Sequence, residues 1–175
     1  MFKNDSNFIG YEYKDITTTR ALEGIYADSY PSFGWTFDGA VPIPIIGINT
    51  ITLKFKRDRK IHNKAELTRL QRQFEACISE IIRMEKSKSV SASIVAFTIG
   101  IIGTACMAGA TFAYLADLIS LCIILAAPGL AGWILPYFMY NSTYAKKTIQ
   151  ITPLIEGKYD EIYKVCEKGN ALLGN

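Results

Sequence analysis

The rhythm of apolar and polar residues changes several times along the chain, and each change marks an element. Tyr11 to Thr17 alternates and is rich in β-formers, which predicts a strand. Thr19 is placed to cap a short helix from Arg20 to about Ser29, with Leu22, Ile25 and Tyr26 on one face and Pro31 as its stop. Phe33, Trp35 and Phe37 alternate and predict a second strand ending at Asp38-Gly39. Val41 to Gly47 carries two prolines and reads as a loop or hairpin crossing. Ile51, Leu53 and Phe55 alternate with Thr52, Lys54 and Lys56, a third strand with one wet face.

The period then becomes helical. Asn63 is an N-cap candidate with Glu66 three residues later, a variant capping box. Leu67, Leu70, Phe74, Cys77, Ile81 and Met84 come at alternating spacings of three and four, a heptad seam. Arg72 with Glu75, and Glu80 with Arg83, are spaced to pair on the wet side. No Pro or Gly lies between Asn63 and Gly100, so this helix should run unbroken past Lys88 into the apolar residues beyond it. At the other end, Thr152 and Pro153 suit a helix start. Ile155, Tyr159, Ile162, Cys166, Gly169 and Leu173 form a second seam, expected to pack on the 64–88 helix.

Between these seams the polar residues nearly vanish. The chain has 19 Lys and Arg and 16 Asp and Glu, yet Ser89 to Ala145 carries only Asp117. Two apolar blocks fill that stretch, about 90–113 and about 118–140. A helix of about 20 residues crosses a hydrocarbon core of about 30 Å. In lipid the backbone must satisfy itself, so both blocks are helices, and the short link Tyr114–Asp117 makes them an antiparallel hairpin. A buried hairpin of a soluble protein would need more apolar partner surface than the polar remainder offers.

Flanking charge gives an orientation. Arg83, Lys86 and Lys88 precede the first span, and Lys146 and Lys147 come after the second. These five are the expected inner-face lipid anchors, with both termini cytoplasmic and the Tyr114–Asp117 loop outside. MFKNDSNFIGYEYKD has no apolar h-region, so the first span is expected to act as the targeting signal. The expected division is 1–88, a cytoplasmic α+β domain ending in a long helix; 89–145, the transmembrane hairpin; and 146–175, a cytoplasmic C-terminal helix. The soluble order β-α-β-β-α is ferredoxin-like without its last strand, which Lys147 to Ile151 could supply; such an analogy implies no chemistry.

Within the spans, Ala92, Ala96, Gly100, Thr104 and Ala108 form a small-residue stripe widened by Gly103, and Gly129 and Gly132 lie on the second span. Small residues let helix backbones approach closely, either within one chain or between copies. No Asp, Glu, Lys, Arg or His lies inside either span, which argues against an ion-coupled transporter working as a monomer.

Catalytic chemistry is hard to assemble. The single histidine, His62, sits in a charged loop. Cys77, Cys106, Cys122 and Cys166 lack metal-ligand spacing. No phosphate loop, GxSxG or HExxH occurs. The expectation is a non-enzyme without cofactor or metal. The basic run Lys54–Lys60 reads first as a strand's wet face and its turn, ahead of an anionic lipid or an acidic partner. If the 64–88 helix stands upright, that run lies roughly 37 Å from the bilayer, several Debye lengths. Nucleic acid is not expected, since the N-terminal piece is only weakly basic.

The stretches LKFKRDRKIHNKAELTRLQRQFEACISEI, EKSKSVSASIVAFTIGIIGTACMAG, PGLAGWILPYF and TPLIEGKYDEIYKVCEKGNALL resemble a set of small two-span membrane proteins of Gram-positive bacteria. The resemblance covers about Tyr11 to Leu173. It implies a bacterial inner-membrane protein and brings no activity, ligand or catalytic residue with it. The expected function is a non-enzymatic, membrane-tethered interaction or regulatory subunit whose partner is the lipid bilayer together with another protein or a second copy. A homo-oligomeric pore is the alternative, motivated by Thr98, Thr104 and Thr111 beside the glycines and by Pro128 as a hinge. No small-molecule substrate is identified.

Overall fold

The computed structural model describes residues 10–45 and 48–174. The order is β1 (Tyr11–Thr19), α1 (Glu23–Ser29), β2 (Thr36–Ile45), β3 (Ile48–Asp58), α2 (Lys64–Leu115) and α3 (Ile119–Leu173), with 3₁₀ turns at Arg20–Leu22 and Tyr30–Phe33. The chain divides into two compact units, Met1–Ile78 with Tyr159–Asn175, and Ser79–Lys158. Both divisions fall inside the two long helices rather than near residues 88 and 146.

The first unit is an antiparallel sheet of order β1-β3-β2 with helices. β1 pairs with β3 over its whole length, from Tyr11 opposite Asp58 to Thr19 opposite Thr50. The period of two sends Ile51, Leu53 and Phe55 into the core, where each is nearly or fully buried. The core is aromatic. Tyr30 lies 4.4 Å from Phe55, 5.9 Å from Phe74 and 6.3 Å from Phe33, between ring centroids. Leu67, Leu70, Phe74, Cys77 and Ile78 of α2 and Ile162 and Val165 of α3 are buried in the same unit.

Several local expectations are corrected. The segment from Arg20 to Ser29 is a 3₁₀ turn and then a two-turn helix, and the Thr19 side chain makes no capping bond. Phe33 and Trp35 are core residues, but Phe33 belongs to a 3₁₀ turn that closes on Gly34 at φ 80°. β2 runs on through Asp38-Gly39 and takes in Pro42 and Pro44. A register shift between Phe37 and Gly39 marks a bulge there, with Gly39 at φ 145°. Prolines are tolerated because β2 is an edge strand with one side unpaired. Glu66 does not close a capping box; its carboxylate takes Arg69 at 2.6 Å.

The C-terminal half differs most from expectation. α3 is one 55-residue helix containing Pro128, Pro136 and Pro153. Thr152 is therefore no N-cap, and its hydroxyl donates to the Thr148 carbonyl at 2.8 Å. Lys147 to Ile151 is helical, so it supplies no fourth strand. The seam on α3 is also shifted. Ile155, Ile162 and Gly169 are buried, but Tyr159 and Leu173 are exposed and Cys166 is half-buried. Ile151 and Val165 are buried instead, and Lys158 is half-buried on a salt bridge to Glu80. After Ile155 a helix offers both the third and the fourth residue to the same face. Tyr159 is the more apolar of the two, but its neighbour faces inward.

In the second unit α2 and α3 cross at glycines. A Cβ on Gly132 would stand 2.5 Å from the Gly103 Cα, and one on Gly103 would stand 2.8 Å from the Gly132 Cα. At Gly129 the Met107 side chain fills the space. α2 closes with the Leu118 N–H on the Ala113 carbonyl and the Asp117 N–H on the Tyr114 carbonyl, and Asp117 sits at φ 58°. That is a Schellman ending in which Asp117 takes the left-handed position usually given to glycine. Both helices are long and apolar enough to cross a membrane, and only 11% of the most apolar window in each is buried.

Candidate functional site

The densest polar chemistry lies between β1 and the first turns of α2. It begins with Arg57. The inward parity of β3 continues from Phe55 to Arg57, which is 4% exposed. A buried guanidinium must be paired on its donors. Its Nε reaches Glu12 Oε1 at 2.5 Å and its Nη1 reaches the Phe33 carbonyl at 3.3 Å. Its Cζ lies 4.4 Å over the Trp35 ring. Lys64, in the first turn of α2, donates to the other oxygen of Glu12 at 2.6 Å.

A second carboxylate sits one step along the cleft. Glu75 Oε1 accepts from Lys14 at 2.5 Å, from the Tyr30 hydroxyl at 2.7 Å and from Gln71 at 2.8 Å. Gln71 in turn accepts from the Trp35 indole at 2.8 Å. Burial alone would raise the Glu75 carboxyl, but these three donors outweigh it and hold it below the ordinary carboxylate range. Glu12 is likewise held low, with burial opposing and Lys64 and Arg57 prevailing. Burial and the bond to Glu75 push the Tyr30 hydroxyl far upward, so it stays a donor.

Two cavities flank this network along β1. One, of about 300 Å³, is lined by Lys14, Trp35, Arg57, Thr68 and Arg72 among others. The other, of about 320 Å³, is lined by Asp15, Thr17, Tyr26 and Tyr30 among others, and Lys14 and Glu75 border both. Each carboxylate here is already occupied by cations and hydroxyl or amide donors. The two carboxylates are thereby held in fixed positions between β1 and α2. Among the described residues no group of His, Cys, Asp and Glu is gathered to hold a metal ion.

The residues singled out from sequence fall elsewhere. The wet-side pairs Arg72–Glu75 and Glu80–Arg83 are not made: Glu75 turns inward to Lys14, and Glu80 takes Lys158 at 2.8 Å. Lys88, expected as an exposed anchor, is instead buried. It is 6% exposed and pairs with Glu85 at 2.7 Å. Arg83, Lys86 and Lys146 are exposed and Lys147 is half-exposed. Arg57 is a correction too, since the basic run is not uniformly wet. Of the small-residue stripe, Ala92 is buried and Gly103 is packed on Gly132. Ala96, Gly100, Thr104 and Ala108 instead line an open groove of about 930 Å³ walled by Trp133 and Pro136. A Cβ on Gly100 would meet nothing within 4 Å. Thr98, Thr104 and Thr111 each donate their hydroxyl to the carbonyl four residues back.

Sequence reasoning did not gather Glu12, Lys14, Trp35, Gln71 and Glu75 into one cleft. Only Arg57 had a signal, its parity with Phe55. The chain matches no protein-family model, no curated protein and no solved structure.

Proposed function

We propose that this is an integral membrane protein that acts as a non-enzymatic, membrane-tethered interaction or regulatory subunit. The observation that carries this is the double use of its two long helices. α2 and α3 each bear an apolar, largely exposed stretch of membrane-crossing length. The same helices supply Leu67, Leu70, Phe74, Ile162 and Val165 to the core of the sheet-bearing unit. A folded α+β unit that shares its two long helices with a membrane hairpin is a tethered platform. Its richest polar cleft is saturated with internal partners, which favours binding over turnover. The exposed Arg83, Lys86 and Lys146 support a cytoplasmic placement of both ends. The resemblance to two-span proteins of Gram-positive bacteria supports a bacterial plasma membrane.

The test is cross-linking of the full chain in its native membrane, then mild extraction and measurement of the mass of the protein–detergent complex with detergent subtracted. A discrete complex above 19.5 kDa is expected. A lone 19.5 kDa chain under every growth condition refutes the reading.

The homo-oligomeric pore is the second reading, favoured by the open groove at Ala96, Gly100, Thr104 and Ala108 that no described side chain fills. Purified protein in planar bilayers should then pass ions, and Gly100→Leu should abolish the current. Silent bilayers with insertion confirmed remove this reading.

A further inference from the structure

The two edges of the sheet are unlike. β2 carries Pro42, Pro44 and a bulge at Phe37/Gly39, features that discourage pairing with another strand. β1 is nine residues long, has no proline and no bulge, and among the described residues pairs on one side only. Its unpaired groups can be assigned. The Arg59 N–H donates to the Gly10 carbonyl at 3.0 Å, and the register places Gly10 opposite Arg59. In an antiparallel ladder directly bonded pairs recur every second residue. Glu12, Lys14, Ile16 and Thr18 therefore turn their backbone groups toward β3. Tyr11, Tyr13, Asp15 and Thr17 turn theirs outward.

Beside that open edge the side chains are mainly cationic. Lys64, Thr68 and Arg72 succeed one another at intervals of four along α2, and Thr68 and Arg72 line both the cavity beside β1 and its neighbour, which Lys64 and Arg69 also border. Lys64 is committed to Glu12, and Arg69 to Glu66. Arg72 makes no ion pair with any described residue. A strand laid along β1 would send alternate side chains inward over the two cavities at Lys14.

We propose that the β1 edge accepts an extended, acidic segment of a partner protein as a fourth strand, with an inward Asp or Glu meeting Arg72. Main-chain bonds to Tyr13, Asp15 and Thr17 supply affinity and the cavities supply selectivity, the mode called β-augmentation. The inference rests on the partner being a protein, as in the tethered-subunit reading, and adds where it docks and what chemistry it brings.

The test is selection of random nonapeptides displayed on phage against the full chain in detergent micelles, then titration of a labelled winning peptide. Proline-free peptides with Asp or Glu at alternate positions should be enriched. Asp15→Pro, which removes an outward N–H and spares the β3 ladder, should weaken the peptide at least tenfold. Arg72→Glu touches only an exposed side chain; it should weaken the acidic peptide at least tenfold and restore binding to its Lys-substituted counterpart. Bound peptide should slow amide exchange at Tyr13, Asp15 and Thr17. No enrichment, equal binding to both variants, or protection confined to other residues overturns the proposal. A native cross-linked complex undiminished by Arg72→Glu overturns the β1 edge and leaves the tethered-subunit reading standing. Absence of any cross-linked complex overturns that reading itself.

Discussion

Replacing Glu75 by Ala strips three donors of their acceptor at once. The heaviest loss is at Tyr30, whose ring is fully buried and whose hydroxyl donates to Oε1 at 2.7 Å. A buried donor left without a partner costs about 1–3 kcal/mol. The Lys14 pair is about one-third exposed on each side and is screened, so it adds about 0.5–1 kcal/mol. The Gln71 amide adds about 1 kcal/mol. The sum, about 2.5–5 kcal/mol, is a large part of the roughly 5–15 kcal/mol that holds a typical domain folded. Tyr30→Phe removes the hydroxyl together with its need for an acceptor and should cost about 1 kcal/mol. The decisive quantity is therefore the coupling. In a double-mutant cycle, Glu75→Ala should cost about 1–2 kcal/mol less in the Tyr30→Phe background. Urea unfolding in micelles measures it, read by Trp35 fluorescence with Trp133→Phe as background so that the signal reports this unit alone. A coupling within about 0.3 kcal/mol of zero would mean the hydroxyl does not depend on Glu75, and the account of the cleft would be wrong.

Three further outcomes rest on the same contacts. Arg57→Lys keeps the charge but loses the planar fork on Glu12 and the stack over Trp35, so it should cost about 1–3 kcal/mol by the same unfolding assay, against no measurable change for the exposed Arg83→Lys. Gly132→Leu places side-chain atoms where the Gly103 backbone lies and should cost about 1–3 kcal/mol or more in detergent melts, whereas Gly100→Leu faces open space and should melt as the parent does. Glu12 and Glu75 have carboxyls held below their ordinary value, so their stabilisation is complete above the unfolded value of about 4.3 and is given up as pH falls through the lower folded value; Glu75→Gln should flatten this acid limb of the urea midpoint from about pH 5 downward.

Periodicity made the regular elements legible and left the interruptions hidden. β1, β3 and α2 can be read from alternation and from the seam at Leu67, Leu70, Phe74, Cys77 and Ile81. The continuous α3 was hidden by Pro153, a plausible helix start by itself. Each proline removes one N–H and strains one turn, yet the helix continues where its neighbouring turns and surroundings compensate. The prolines of β2 misled for a related reason. Proline forbids a ladder bond on one side only, and an edge strand has a side to spare. The α3 seam was legible at Ile155, Ile162 and Gly169 and wrong between them, because residues three and four apart share a helix face and hydrophobicity alone chose Tyr159 over Lys158.

The cleft was hidden for a deeper reason. A buried polar residue and a solvated one look alike in composition, and only position relative to an apolar period separates them. Arg57 extends the series Ile51, Leu53, Phe55, and Glu12 and Lys14 hold the matching inward parity on β1. Gln71 and Glu75 flank Phe74 on the inward face of α2. A run such as KFKRDRK therefore divides by parity: Lys54 is exposed on the outer face while Arg57 is buried with an aromatic partner. This parity bears on function. The inward charges of the sheet are paired with one another. Among the described residues the outer backbone edge of β1 pairs with no strand, and such an edge carries no compositional signature. An open strand edge is invisible to motif reading and emerges only when strand order, register and the positions of prolines are known together.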